Sequence, residues 1–351
     1  MKYSKKSAIE VQFNWLFVLL IGAVLLIFVF SVIRTQTEVV EYDISATVRM
    51  NLDSVLQDAS QTPGTTFTVQ LRNTRFTSSD SCVDSFYLND NRNLRIEMEA
   101  VFSPKQMDSV RGEFLLWVLP WDMPFRITNF VYLTSPDIIY LLVYDGFTED
   151  FVKEINSSRT TLSLPEDLTK IIIEDNAALE SQLKQLDHLN TRVIYIKNDC
   201  STTVFPDHAT SAVCIQVNDN VESGGLNGWG NVTYLDPEDN HKHTFFIGRP
   251  SLFGVIFAED IVQYDCSMQK AFKRMLQLLD VYQYRSSNLS QTGDMCGTRH
   301  DQAVGRLTAM KNAIRTNNKI GETLYNNSIK GTASLRGLNQ DTKLRSCVYI
   351  Y

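Results

Sequence analysis

A basic surplus is what this 351-residue chain lacks first. Its 33 Lys and Arg stand against 40 Asp and Glu, a formal net charge of -7. Nothing is left over to neutralise phosphates, so a general nucleic-acid binder is excluded and no nucleic-acid partner is expected. Proline (9) and glycine (16) are sparse, which excludes collagenous and low-complexity architectures. Also missing are a G-x-S-x-G elbow, H-E-x-x-H, Walker A, and S-x-x-K with its companion motifs. These absences remove the enzyme classes legible from short motifs, and no cofactor is expected. His188, His208 and His300 stand alone. No Cys/His spacing points to zinc.

What is present begins with an apolar run. Trp15 to Ile33 holds no charged residue, and only Gly22 and Ser31 interrupt it. Nineteen residues at 1.5 Å span about 28 Å, close to the ~30 Å hydrocarbon core. A buried helix rarely stays apolar on every face for so long. A cleaved signal peptide would have a shorter core and a small-x-small site, and "FVFSVIRTQT" offers none. The reading is a signal-anchor helix over 13–34, with the lipid bilayer as partner. Lys2, Lys5 and Lys6 precede the run, while Glu38, Glu41 and Asp43 follow it. By the positive-inside rule the N-terminus is cytoplasmic and the rest extracytoplasmic, at the cell membrane. Without those lysines and Glu10, 30 basic and 39 acidic residues leave the remainder at -9.

All six cysteines lie in that remainder, where an even count predicts disulfides. Fifteen pairings are possible and sequence does not choose among them; the expectation takes the local pairs, Cys200 with Cys214 and Cys266 with Cys296, which leaves Cys82 with Cys347. Four N-x-S/T sequons, at Asn156, Asn231, Asn288 and Asn326, are possible glycosylation sites in that compartment.

Patterning predicts an α/β ectodomain with a mixed sheet and C-terminal helices, tethered by one N-terminal transmembrane helix. The expected divisions are a cytoplasmic tail (1–12), the membrane helix (13–34) and a helical stalk (35–61). An antiparallel β region (62–135), an α/β body (136–260) and a helical end (261–351) follow. Phe67, Val69 and Leu71 alternate with polar residues, as do Leu94, Ile96, Met98, Ala100 and Phe102, the mark of strands with one wet face. "DIIYLLVYDG", "TKIIIED" and "TRVIYIKND" are continuous apolar runs separated by helical segments, the pattern of a buried parallel sheet. Strands are also expected at Ala212–Val217, Asn231–Leu235, Thr244–Ile247 and Leu252–Phe257.

Ligands of parallel sheets bind beyond the strands' carboxyl ends. Those ends carry Asp145, Asp175 and Asp199, candidate catalytic carboxylates whose competing role is to cap turns and helices. "DPEDNHKH" (236–243) sets His241 and His243 on one face if extended, as metal pairs sometimes are, but Pro237 and Asn240 favour a hairpin turn. The glycine-rich 222–231 reads as a surface loop. Trp117, Trp121, Phe125 and Phe130 form either an exposed recognition patch or a packed sheet corner.

"IEVQFNWLFVLLIGAVLLIF", "PWDMPFRITNFVYLTSP", "GVIFAEDIVQYDCSMQKAFKRM" and the terminal "SCVYIY" resemble uncharacterised membrane-anchored proteins of small-genome archaea. That resemblance implies an archaeal source and an extracytoplasmic domain, and carries over no functional residues. Lysines, Glu10 and a long apolar helix are also similar to archaeal type IV pilin-like N-termini. Here the chain departs from that pattern: Ser7, not Gly or Ala, stands nearest the cleavage point, and Glu10 is displaced. Three functions are compatible with these features. The first is interaction or envelope structure, with envelope or surface proteins as partners. The second is an extracytoplasmic hydrolase acting on envelope material, with Asp145, Asp175 and Asp199 lining one cleft. The third is a pilin-like assembly subunit.

Overall fold

The structure, a computed structural model, describes residues 18–32, 34, 64–70, 75–78, 86–88, 91–96, 100–108, 113–157, 163–174, 176–186, 189–217, 228–316 and 322–351. The chain divides into two compact units, Met1–Asp53 and Ser54–Tyr351. In the first, residues 18–32 form helix α1. No helix among the described residues is long and apolar enough to cross a membrane. The expected spanning helix over 13–34 is therefore corrected. The fifteen described helical residues, 18–32, rise about 22 Å, short of the ~30 Å of a bilayer core. The expected stalk lies outside the described residues.

Among its described residues the second unit is mixed α/β and holds three sheets. In one, β1 (Thr66–Gln70), β7 (Glu113–Asp122), β8 (Arg126–Thr134) and β5 (Ala100–Phe102) run in the order β1-β7-β8-β5. A smaller one orders β4 (Asn91–Ile96), β3 (Phe86–Leu88), β2 (Arg75–Ser78) and β6 (Gln106–Asp108). The largest has six strands. These are β9 (Ile138–Tyr144), β10 (Lys170–Ile173), β11 (Asn190–Lys197), β12 (Ser211–Val217), β13 (Trp229–Leu235) and β14 (Lys242–Ile247). Their order is β10-β9-β11-β12-β13-β14, with β9 to β12 parallel and the last two pairings antiparallel.

The apolar runs become central strands because both of their faces are covered. Val193 and Tyr195 of β11 join a core with Leu179 and Leu183 of α3 (Asn176–Gln185). The alternate residues Arg192, Ile194 and Ile196 are just as buried. On that side lies α4 (Gly248–Phe257), every residue of which is buried. Phe257 packs on Tyr140, and Phe253 on Trp117 of β7. Helix α2 (Glu149–Ile155) reaches α4 through Glu154, which meets Arg249 at 2.7 Å.

Leu252–Phe257 was expected as a strand, and α4 corrects it. A short run buried all round shows no period, so strand and helix look alike in sequence. The discriminating signal is Pro250, which suits a helix's first turn, where its missing N–H would be unpaired anyway. Gly248 provides the entry at φ 75°.

The C-terminal helices form an antiparallel layer: α5 (Ile261–Ser290), α6 (Met295–Thr316) and α7 (Glu322–Leu344). Asp260 caps α5 by accepting from the Gln263 N–H at 2.8 Å. The segment 117–130 is the buried β7–β8 hairpin, so its aromatics pack a sheet corner. Trp117, Trp121, Phe125 and Phe130 are all buried, and the Trp121 indole donates to the Ile247 carbonyl at 3.1 Å.

Candidate functional site

At the carboxyl ends of β9 and β11 the chain's own turns occupy the space between the strands. From β9 the chain goes out to β10, then returns across to β11, so the topological switch falls between β9 and β11. There the Asp145 carboxylate accepts from the N–H groups of Phe147 (3.1 Å) and Thr148 (3.0 Å), and across the gap from that of Asn198 (3.2 Å). The Thr148 hydroxyl donates to the Ile196 carbonyl at 2.6 Å. These bonds zip the two strand ends together where a ligand would otherwise enter.

Asp199 belongs to a separate exposed turn. It accepts from the Ser201 N–H at 2.9 Å and hydroxyl at 2.7 Å, which hold its carboxyl below the usual range. Asp175 lies outside the described residues. Of the three expected carboxylates, Asp145 and Asp199 are each engaged by N–H and hydroxyl groups of the turns that follow them, and Asp145 also by the N–H of Asn198, next to Asp199.

Residues 236–241 make the β13–β14 turn. His241 Nδ1 accepts from the Asp236 N–H at 3.2 Å, and His243, on β14, meets the Thr233 hydroxyl at 3.1 Å. Among the described residues no group of His, Cys, Asp and Glu could hold a metal ion. The two histidines are bound to their own hairpin and do not converge.

Cys200 and Cys214 are disulfide-bonded, with Cα atoms 5.9 Å apart. Cys296 is bonded to Cys347 (Cα–Cα 5.6 Å), which overturns both the expected Cys266–Cys296 and Cys82–Cys347 pairs. Cys266 is disulfide-bonded as well, and no described cysteine is free. The reason is geometric. Cys296 opens α6 and Cys347 follows the end of α7, so these antiparallel helices bring the two together across 51 residues. Sequence proximity favours Cys266, but it sits early in the 30-residue α5, about 36 Å along the axis from that helix's end.

Beside that disulfide stand four exposed apolar side chains. Met295 (60% exposed) and Val348 (52%) directly neighbour the bonded cysteines, and Leu344 (77%) and Tyr349 (47%) flank them. The tail is held firmly from beneath. Ile350 is fully buried, its N–H donates to Asn339 Oδ1 at 2.8 Å, and Tyr351 packs on Phe125 and Tyr282. Around the apolar group runs an ion-pair chain: Asp341 meets Arg299 at 3.0 Å and Arg345 at 3.1 Å. The Arg345 guanidinium also lies 3.1 Å from the Met295 sulfur.

Of the sequon asparagines, Asn288 is exposed on α5 and Asn231 is exposed on β13. Asn326 is half-buried on α7, and its sequon serine, Ser328, is fully buried. Asn156 ends α2 with its side-chain oxygen buried.

Sequence reasoning missed the Met295–Tyr349 group because its members come from three separated segments. The available signal was "SCVYIY", an apolar end attached to a cysteine. It also missed Arg192, which is 1% exposed in the middle of an apolar strand. No family model matches the chain, and no curated protein or solved structure is significantly similar to it.

Proposed function

We infer that this chain is an interaction module of an oxidising, extracytoplasmic compartment, and that it docks a protein partner on the face around Cys296–Cys347. The carrying observation is the set of four large apolar side chains held outward by a disulfide and a buried tail. Leaving such groups in water costs free energy unless a partner covers them, at about 25 cal/mol for each Å². Met, Tyr and Arg are interface-enriched types, and an apolar centre inside a charged rim is the anatomy of a protein interface. The oxidised cysteines support the compartment.

The test is native electrophoresis of the protein gently extracted from its own cells. Wild type should migrate in a larger complex. The double variant Met295→Asp/Val348→Asp should migrate alone while keeping its circular dichroism. A wild type that runs alone, or a variant that keeps the complex, would end this reading.

A further inference from the structure

The opposite ends of the parallel strands are open. A cleft of about 470 Å³ lies at the start of β9 and β11, between the six-stranded sheet and the small sheet that holds β2 and β6. That volume falls within the range typical of small-molecule sites. Its floor includes the buried Met107 and Ile138, and its polar lining includes Asp137, Glu259, Asn190 and Thr210.

Glu259 is held rigidly. Its N–H donates to the Ser103 carbonyl at 3.2 Å, and its own carbonyl accepts from Arg192 at 3.2 Å. One carboxylate oxygen accepts from the Lys105 N–H at 2.7 Å. Among the lining residues two carboxylates stand against one ammonium. Asp137 and Glu259 face Lys105 on the rim and the buried Arg192 guanidinium behind, whose donors go to the Val255, Ile256, Ala258 and Glu259 carbonyls and the Ser211 hydroxyl. The excess carboxylate disfavours an anion, and the guanidinium behind the cleft offsets it against a strong cation. Carboxylates accept only, amides donate and accept, and hydroxyls do both. A ligand rich in hydroxyl groups satisfies all three at once, with its C–H face on Met107 and Ile138.

We propose that this cleft binds a neutral saccharide unit. The site is separate from the docking face and does not depend on it.

The test is saturation-transfer NMR on the full chain, with millimolar methyl glycosides of glucose, galactose, mannose and N-acetylglucosamine. Glycine betaine and inorganic phosphate serve as ionic probes. At least one glycoside should bind. Asp137→Asn and Asn190→Ala, both at the cleft surface, should each weaken it by at least about tenfold, the loss of one charge-assisted or amide hydrogen bond in a fixed site. Preference for a glycoside over its free sugar would mark a linked glycan as the source, and equal binding a free sugar; either sustains the proposal. No glycoside binding, binding only of betaine or phosphate, or glycoside binding that both variants retain would overturn it. Unchanged amide spectra of the two variants establish that any loss is local.

Discussion

Arg192 shows how one residue can organise the centre of the fold. Its guanidinium is buried, and no carboxylate among the described residues is bonded to it. Instead it supplies hydrogen bonds to the carbonyls that a helix end leaves unpaired, where the helix dipole also favours positive charge. The bonds to Val255 (2.9 Å) and Ile256 (2.7 Å) join strand β11 to the end of α4. Arg192→Leu removes the donors and leaves those acceptors dry, so it should cost at least about 3 kcal/mol. Urea denaturation checks this, and a loss below about 1 kcal/mol would contradict the assigned role.

Asp265 makes a pH prediction. Burial pushes its carboxyl from 3.8 up to about 6, opposed by the hydrogen bond from the Thr244 hydroxyl at 2.7 Å. The folded state therefore holds this proton more tightly than the unfolded state does. Stability from this group is fully present below about pH 4 and is lost as pH rises to about 6, with a slope of at most about 1.4 kcal/mol per pH unit. Asp265→Asn should remove that slope from the denaturation midpoint measured against pH. An unchanged slope would show that another group produces it.

At the scale of elements, α4 depends on close approach. A Cβ at Gly254 would stand 2.8 Å from the Phe102 ring, which is fully buried and stacked on Tyr132. Gly254→Ala should therefore destabilise by about 1–3 kcal/mol, although alanine is the better helix former. Thermal unfolding distinguishes the two effects by sign. The Cys296–Cys347 bond joins α6 to the end of α7. Replacing both cysteines with serine should cost about 2–4 kcal/mol and free the tail, seen as faster amide exchange at Ile350.

The legibility of these elements follows the period of their burial. Strands β9 and β11 were readable because two covered faces require unbroken apolar runs. The hairpin 117–130 showed its aromatics but not whether they faced inward, since exposure is decided by α4 and α5, far along the chain. The strand ends displayed Asp145 and Asp199, yet turn-forming and catalytic carboxylates share one residue type. The six cysteines signalled oxidation, while their pairing depended on how helices α5 to α7 stack. The open cleft and the apolar group at Met295 and Tyr349 are assembled from distant segments, so no local pattern could announce either.

For the whole molecule, the features combine into a scaffold with outward fittings. A mixed sheet tied together at the carboxyl ends of β9 and β11 and a central buried helix provide rigidity. The helical layer, oxidised at Cys296–Cys347, carries the exposed side chains of Met295, Leu344, Val348 and Tyr349. The claim that this face exists to be covered by another protein is tested most directly by a photo-crosslinking residue at position 349 in the native cells. The account predicts one discrete heavier adduct that disappears in the Met295→Asp/Val348→Asp background, with a crosslinker at the exposed Lys273 giving none. Absence of an adduct at 349, or the same adduct from both positions, would contradict it.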